Sequence, residues 1–138
     1  MNKYDVIIIG AGSVGVPTAL ALAKDKKVLV LESLPSPGQG QNKKAIGGIR
    51  ATHSDFGKIK LAQRSIEIFS NWQANEGDDI GWMSNGYSFP AYNLADEEKL
   101  KNLLEVQKSF GMNIDWISAS EYQKLVPGIN PEGLRGAT

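Results

Sequence analysis

Short apolar runs and one helical segment alternate in the first third of the chain. Residues 4–9 are mostly β-branched and end at a glycine, which is typical of a strand buried on both faces of a parallel sheet. Residues 13–24 are rich in alanine and leucine, and residues 27–31 form a second apolar run that ends at Glu32. The pattern predicts a strand, a helix and a second strand, which together begin an α/β domain.

The next segment changes from irregular to helical. Residues 35–48 contain two prolines and four glycines, which predicts a loop, or a loop leading into a short glycine-rich helix. Apolar residues then recur every three or four positions from Phe56 to Trp72. This stripe predicts a helix that begins at Asp55 and is capped by Ser54.

A hairpin and a second amphipathic helix are predicted further along the chain. Residues 82–84 and 87–92 flank Asn85-Gly86, the dipeptide that most readily forms the type I′ turn of a β-hairpin. Residues 96–110 place their leucines on one face, and Gly111 follows as a residue that can end the helix.

The C-terminal stretch predicts smaller elements. Residues 112–117 suit a strand, and residues 118–125 suit a short helix that Pro127 stops. The glycines, prolines, asparagine and arginine that follow predict an exposed turn region.

Composition excludes several classes of protein. Hydrophobic residues make up 41% of the chain and charged residues 22%, as in an ordinary globular domain. Lys plus Arg and Asp plus Glu are 15 each, so no basic excess favours nucleic-acid binding. The absence of cysteine excludes disulfides and thiolate metal sites within this stretch. The N-terminal apolar run is too short for a signal peptide or a membrane span, so we expect a cytoplasmic protein.

A glycine-rich motif lies between the first predicted strand and helix. Gly10, Gly12 and Gly15 form G-x-G-x-x-G, and Glu32 follows 22 positions after Gly10 (32 − 10). The glycines permit a tight turn, a close approach to a pyrophosphate and close helix–strand packing. The amides of Ser13 and Val14 lie at the helix N-terminus, which favours an anion.

The acidic end of the second strand narrows the choice of cofactor. Glu32 can accept hydrogen bonds from ribose hydroxyls, and its charge would repel a 2′-phosphate. The motif therefore predicts an FAD or NAD site that includes Glu32 and the adjacent Ser33. The alternative is a glycine turn that serves packing alone.

Three blocks of the sequence carry a resemblance to a known family. Residues 4–33, residues 40–50 and the run Leu-Val-Pro-Gly-Ile-Asn-Pro-Glu-Gly-Leu-Arg-Gly at 125–136 look like the D-amino-acid oxidase, glycine oxidase and sarcosine oxidase family. The resemblance implies FAD as the cofactor. It also implies an α/β, FAD/NAD(P)-binding Rossmann-like domain, which interleaves with an α+β substrate domain. We therefore expect residues 1–78 to form the N-terminal part of the FAD-binding domain and residues 79–138 to begin the substrate-binding domain.

The second block resembles a family segment of the form G-x-S-x-R-x-x-G-G-I-R that runs beside the flavin. Asn42 replaces the serine of that pattern and Lys44 replaces the arginine. Both replacements can still form hydrogen bonds, although lysine lacks the planar fork of arginine. The resemblance thus implies FAD contacts from Asn42, Lys43 and Lys44.

The same resemblance indicates two candidate substrate-site residues. Arg50 occupies the place where some amine-oxidising relatives bind the substrate carboxylate, and a guanidinium matches a carboxylate in a bidentate pair. An arginine that pairs with a structural acid, or lies in solvent, is the alternative. His53, the only histidine, could accept a proton near the flavin or attach it covalently, or it could be a loop or cap residue.

Other conspicuous residues have structural explanations. Trp72, Trp82 and Trp116 lie on predicted helix and strand positions, where core packing is expected. The acidic run at 96–98 complements the dipole at a helix start and is not expected to bind a metal.

The resemblance implies an enzyme that oxidises the C–N bond of an amino acid or N-methyl amino acid of the sarcosine, glycine or proline type. Two alternatives are a fragment of an NAD-dependent dehydrogenase and a non-catalytic nucleotide-binding subunit that needs a partner chain. The sequence ends at Thr138 without a closing element, so we expect a truncated chain or one piece of a split enzyme. This stretch alone is expected to be inactive without a partner subunit or further C-terminal sequence.

Overall fold

The computed structural model describes residues 3–138, and its chain divides into two compact units. The first unit ends at Gly48, and the second runs from Ile49 to Thr138. The predicted boundary after residue 78 concerns the functional domains of a larger fold and stays a prediction.

The first unit is a strand–helix–strand arrangement, which confirms the sequence prediction. Its elements are β1 (Val6–Ile9), α1 (Gly15–Leu22) and β2 (Val28–Leu31). The strands pair in parallel, with Val6 opposite Val28 and Ile9 opposite Leu31. A loop follows β2 and contains one 3₁₀ turn at Asn42–Lys44, as the glycine-rich composition predicted.

The prediction that β1 is buried on both faces is wrong in this unit. Ile7 is 58% exposed and Ile9 is 88% exposed, whereas Val6 and Ile8 are half-buried. Ile8 lies beside Gly15 at the start of α1. Within this unit α1 packs against the two strands, so only the face that meets the helix is covered.

Two helices begin the second unit. They are α2 (Phe56–Ser70) and α3 (Trp72–Glu76), and Ile59 on the apolar stripe of α2 is fully buried. The cap of α2 is Asp55, whose Oδ1 accepts a hydrogen bond of 2.9 Å from the Lys58 amide, so the predicted Ser54 cap is wrong by one residue.

The tryptophans of the second unit pack as predicted. Phe69 stacks with Trp72 at 6.1 Å between ring centroids and with Trp82 at 5.8 Å. Trp116 lies beneath the Lys101 ammonium and against Gly136. Aromatic rings contribute area to the core of this unit, as predicted.

A three-stranded antiparallel sheet completes the second unit. Its strands are β3 (Pro90–Ala91), β4 (Ile117–Ser118) and β5 (Gly136–Ala137), and their order is β3-β5-β4. The helices between the strands are α4 (Leu94–Ser109) and α5 (Ala119–Leu125). Ser118 and Glu121 form a capping box at the start of α5, and Gly111 follows α4 with a φ of +74°. These features confirm both predicted helices.

The predicted hairpin at Asn85-Gly86 is wrong. A type I′ turn needs a positive φ at both central residues, and within residues 3–138 every residue with positive φ is a glycine. Gly86 has a φ of +78°, but Asn85 does not share that conformation. The segment before β3 instead joins β5, because the amides of Phe89 and Thr138 each donate to the carbonyl of the other.

The C-terminal predictions need two further corrections. The strand expected over 112–117 is reduced to Ile117–Ser118. The expected exposed turn region is wrong from Leu134 onward, since Leu134 and Ala137 are buried with Tyr122 in a hydrophobic cluster. Residues 136–137 form the central strand of the sheet, so small residues there are buried by pairing on both edges.

Candidate dinucleotide-binding site

The glycine loop between β1 and α1 has the tight geometry that the motif predicted. Gly10 has a φ of +99°, and its amide donates to the Leu31 carbonyl at 2.7 Å. Gly15 packs so closely on the turn that an added Cβ would lie 1.9 Å from the Gly10 carbonyl oxygen. Glycine is therefore required at both positions. Gly10 needs it for the positive φ, and Gly15 needs it for close packing.

A cavity of about 470 Å³ opens at the start of α1. Its walls come from Ile8 and Ile9, from loop positions 10 and 12–15, and from Thr18, Gln41 and Asn42. Within residues 3–138, the amides of Gly12 and Val14 have no hydrogen-bond partner. Free amides at a helix N-terminus suit a phosphate, so the residues present fit the pyrophosphate of a dinucleotide.

Asn42 lies directly against this loop. The Ser13 amide donates to Asn42 Oδ1 at 3.0 Å, and a Cβ on Gly12 would lie 3.2 Å from the same oxygen. The structure therefore brings Asn42 to the glycine motif. A phosphate oxygen could accept the hydrogen bond of the Ser13 backbone amide in place of Asn42 Oδ1. The side-chain NH₂ group of Asn42 would then be able to donate to the phosphate as well.

Glu32 connects the end of β2 to the glycine loop. Its Oε2 accepts a hydrogen bond of 2.7 Å from the Ala11 amide, and its Oε1 accepts one of 2.9 Å from the Leu34 amide. Backbone donation from Leu34 and then Ala11 holds the pKa of Glu32 below its ordinary value of 4.5. Oε2 accepts only the Ala11 bond and keeps a lone pair, so the ionised group can still accept from a ribose hydroxyl.

The remaining predicted cofactor residues lie close in sequence to Glu32 or Asn42. Their hydrogen bonds are to residues near them in the chain. The Ser33 hydroxyl donates to Glu32 at 3.3 Å. Lys43 donates to Gln39 at 3.2 Å, and the exposed Lys44 lies in the same 3₁₀ turn as Asn42. Their roles toward FAD stay predictions.

Sequence reasoning missed Thr18 and Gln41, which line the cavity. Thr18 lies one helical turn after Val14, and its hydroxyl donates to the Val14 carbonyl at 2.7 Å. The i, i+4 spacing from the motif was the signal that could have indicated Thr18. Gln41 could have been found as the neighbour of Asn42.

The two candidate substrate residues lie at the start of the second unit. Arg50 is half-buried, donates to the Thr52 carbonyl at 2.8 Å, and packs over the ring of Phe89. His53 is half-buried, and its amide donates to the Ala51 carbonyl at 2.7 Å. Their roles toward substrate or flavin stay predictions.

Two negative findings concern the described part of the chain. Residues 3–138 contain no group of three or more His, Cys, Asp or Glu side chains that could hold a metal ion. None of their helices combines the length and apolarity that crossing a membrane would need.

The fold and the site match one family of known proteins. The pattern of the FAD dependent oxidoreductase family (DAO) covers residues 5–138, so the chain belongs to this family. The family's cofactor is FAD, and the β1–α1–β2 unit is the start of its Rossmann-like fold. Family membership favours FAD over the NAD-dependent dehydrogenase alternative.

Individual relatives agree with that assignment. The chain is 24% identical to glycine oxidase of Geobacillus kaustophilus, over 99% of this chain and 38% of the relative. It is 28% identical to human mitochondrial sarcosine dehydrogenase, over 98% of this chain and 15% of the relative. The crystal structure of L-proline dehydrogenase from P. horikoshii superposes with a TM-score of 0.88 at 28% identity, covering 99% of this chain and 36% of that one. The chain thus spans less than two-fifths of each of these proteins.

Proposed function

We propose that this chain is the N-terminal FAD-binding part of a flavoenzyme that oxidises the C–N bond of an amino acid or N-methyl amino acid. The observation that carries the proposal is the cavity at the glycine loop, where free backbone amides and Asn42 come together, with Glu32 hydrogen-bonded to Ala11 of the same loop. Glycine oxidase, sarcosine dehydrogenase and proline dehydrogenase among its relatives support a substrate of the sarcosine, glycine or proline type.

The glycine-loop amides and the residues at the end of β2 have separate roles in this proposal. The amides of Gly12, Ser13 and Val14 hold the pyrophosphate, because the positive end of α1 favours its charge. Glu32 and Ser33 bind the ribose hydroxyls of the adenosine half. Bound FAD would supply the oxidising group, which takes a hydride from the substrate carbon that carries nitrogen.

The exposed segment after β2 supplies positive charge. Lys43 and Lys44 would neutralise the phosphates, while Asn42 would donate from its amide group. Loss of the hydride and of the nitrogen's proton leaves a C=N bond in the substrate, and water then hydrolyses it to a carbonyl compound and an amine.

Arg50 has the role of binding the substrate carboxylate. Within residues 3–138, no carboxylate oxygen lies within 4.0 Å of its guanidinium, so an anionic ligand would meet an unpaired charge. His53 would accept the proton of the substrate amine, or carry the flavin covalently. We further propose that residues 1–78 serve the cofactor and residues 79–138 the substrate, and that activity requires a partner subunit or further sequence.

The proposal is tested by mixing the complete FAD-loaded protein anaerobically with glycine, sarcosine and L-proline. We expect at least one of them to remove the yellow flavin absorbance, with formation of the matching carbonyl product. Glycolate, which carries a C–O bond in place of the C–N bond, is the matched control. Bleaching by glycolate but by none of the three amino acids would contradict the proposed reaction.

A separate variant tests whether Arg50 binds the substrate carboxylate. We expect Arg50→Met to raise the substrate KM at least about thirtyfold, because a buried charge pair typically contributes 2 kcal/mol or more. An unchanged KM would remove Arg50 from the substrate site without affecting the assignment of FAD.

A further inference from the structure

Only one of the three guanidinium nitrogens of Arg50 has a hydrogen-bond partner within residues 3–138. Nη1 donates to the Thr52 carbonyl at 2.8 Å and lies 3.5 Å from the Thr52 hydroxyl. Within residues 3–138, Nε and Nη2 have no hydrogen-bond partner. These two nitrogens share one edge of the guanidinium, which is an edge that can bind both oxygens of a carboxylate at once.

One face of the same guanidinium rests on an aromatic ring. Its central carbon lies 5.2 Å from the centroid of the Phe89 ring, within the range of a cation–π contact. The Thr52 carbonyl and the Phe89 ring therefore fix two directions of the group. A guanidinium held in this way loses less freedom when it binds an anion, which strengthens binding.

The ring that supports Arg50 is itself anchored. The amide of Phe89 donates to the Thr138 carbonyl at 2.9 Å, and the Thr138 amide donates back at 3.2 Å. The Tyr87 ring stacks beside Phe89 at 6.5 Å between centroids. Backbone pairing and stacking together hold the Phe89 side chain in place.

We propose that Phe89 is a positioning residue that presents the Nε–Nη2 edge of Arg50 to the carboxylate of a small ligand. The inference rests on the proposed function, in which Arg50 binds the substrate carboxylate. It adds the edge of the guanidinium that the ligand uses and the residue that orients it. Phe89 does not contact the ligand in this proposal and acts through Arg50.

The test measures the Kd of acetate for the complete FAD-loaded protein, followed by the change in the visible flavin spectrum. Phe89→Leu removes the ring, and we expect the Kd to rise about threefold to thirtyfold, the range of a cation–π contact. Phe89→Tyr keeps the ring and should restore a Kd near that of the unmodified protein. Phe69→Leu is the matched control, since Phe69 is also half-buried but stacks on tryptophans without touching Arg50.

Two variants of Arg50 separate this inference from the proposed function. Arg50→Lys keeps the charge but loses the paired donors of one edge, and we expect its Kd to rise about tenfold or more. If Phe89→Leu does not fold, Arg50→Lys still tests the paired edge on which the inference depends. Arg50→Met removes the charge and should raise the Kd further.

The outcomes are distinguishable. If Arg50→Met weakens acetate binding but Phe89→Leu does not, or if Phe89→Tyr is as damaging as Phe89→Leu, the positioning role is overturned and Arg50 keeps its own role. If Arg50→Lys binds acetate as well as arginine does, the paired edge is overturned. If Arg50→Met leaves the Kd unchanged, the proposed role of Arg50 fails as well.

Discussion

Gly15→Ala is the substitution for which the structure gives the most definite consequence. The new Cβ would lie 1.9 Å from the Gly10 carbonyl oxygen and 3.3 Å from Ile8 Cγ2. Real Cβ atoms do not approach within 3.0 Å, so α1 and the loop must separate by about 1 Å. Because the nearest atom belongs to the backbone, no side-chain rotation can relieve the contact.

Two energies oppose each other at this position. Alanine is a better helix former than glycine by about 1 kcal/mol, which favours the variant. Overpacking in a well-packed core costs about 1–3 kcal/mol, and a backbone clash belongs at the upper end. We therefore expect a net loss of about 2 kcal/mol in the free energy of unfolding. The same shift moves the loop amides off the pyrophosphate, so the Kd for FAD should rise at least about tenfold.

The assay combines thermal unfolding with a fluorescence titration of FAD. Gly57→Ala is the matched control, because Gly57 also lies in the first turn of a helix and its added Cβ would be 3.4 Å from Asp55 Oδ1, an ordinary contact. The control should leave the FAD Kd unchanged and keep or raise the Tm. If Gly15→Ala matches the control in both measurements, the close packing of α1 on the glycine loop is refuted.

Two further predictions concern Glu32 and Gly136. The folded pKa of Glu32 is lowered, so its ionised form stabilises the fold above about pH 4.5, and this contribution disappears as the pH falls below that value. Urea unfolding measures the free energy of unfolding at pH 7 and at pH 4. From pH 7 to pH 4 this free energy should fall less for Glu32→Gln than for the unmodified protein. Equal falls would contradict the hydrogen bonds to Glu32. Gly136→Ala places a Cβ 2.4 Å from Trp116 Cζ2 at a φ of +153°, so we expect the free energy of unfolding to fall by about 1–3 kcal/mol, and an unchanged Tm would count against the packing of β5.

Sequence alone predicted those parts of the fold that local rules control. The glycine motif, the run of strand, helix and strand, and the short helix that begins after Ser118 each depend on residues a few positions apart. Asn42 was also identified in advance, although through a family pattern, and the structure places its side chain on the Ser13 amide.

The errors fall where distant segments decide the outcome. Asn85-Gly86 favours a hairpin locally, but the strand after it pairs with Gly136–Ala137, far along the chain. Gly136 and Ala137 carry no apolar signal that would predict burial, yet they are buried because two strands flank them. Residue-by-residue preference cannot detect such long-range pairing.

The most direct test of the central claim is the visible absorption spectrum of the purified protein, before and after adding FAD and removing the excess. A parallel titration with NAD measures the competing cofactor. We predict a retained flavin band and no binding of NAD. A colourless protein that binds NAD but not FAD would contradict the account.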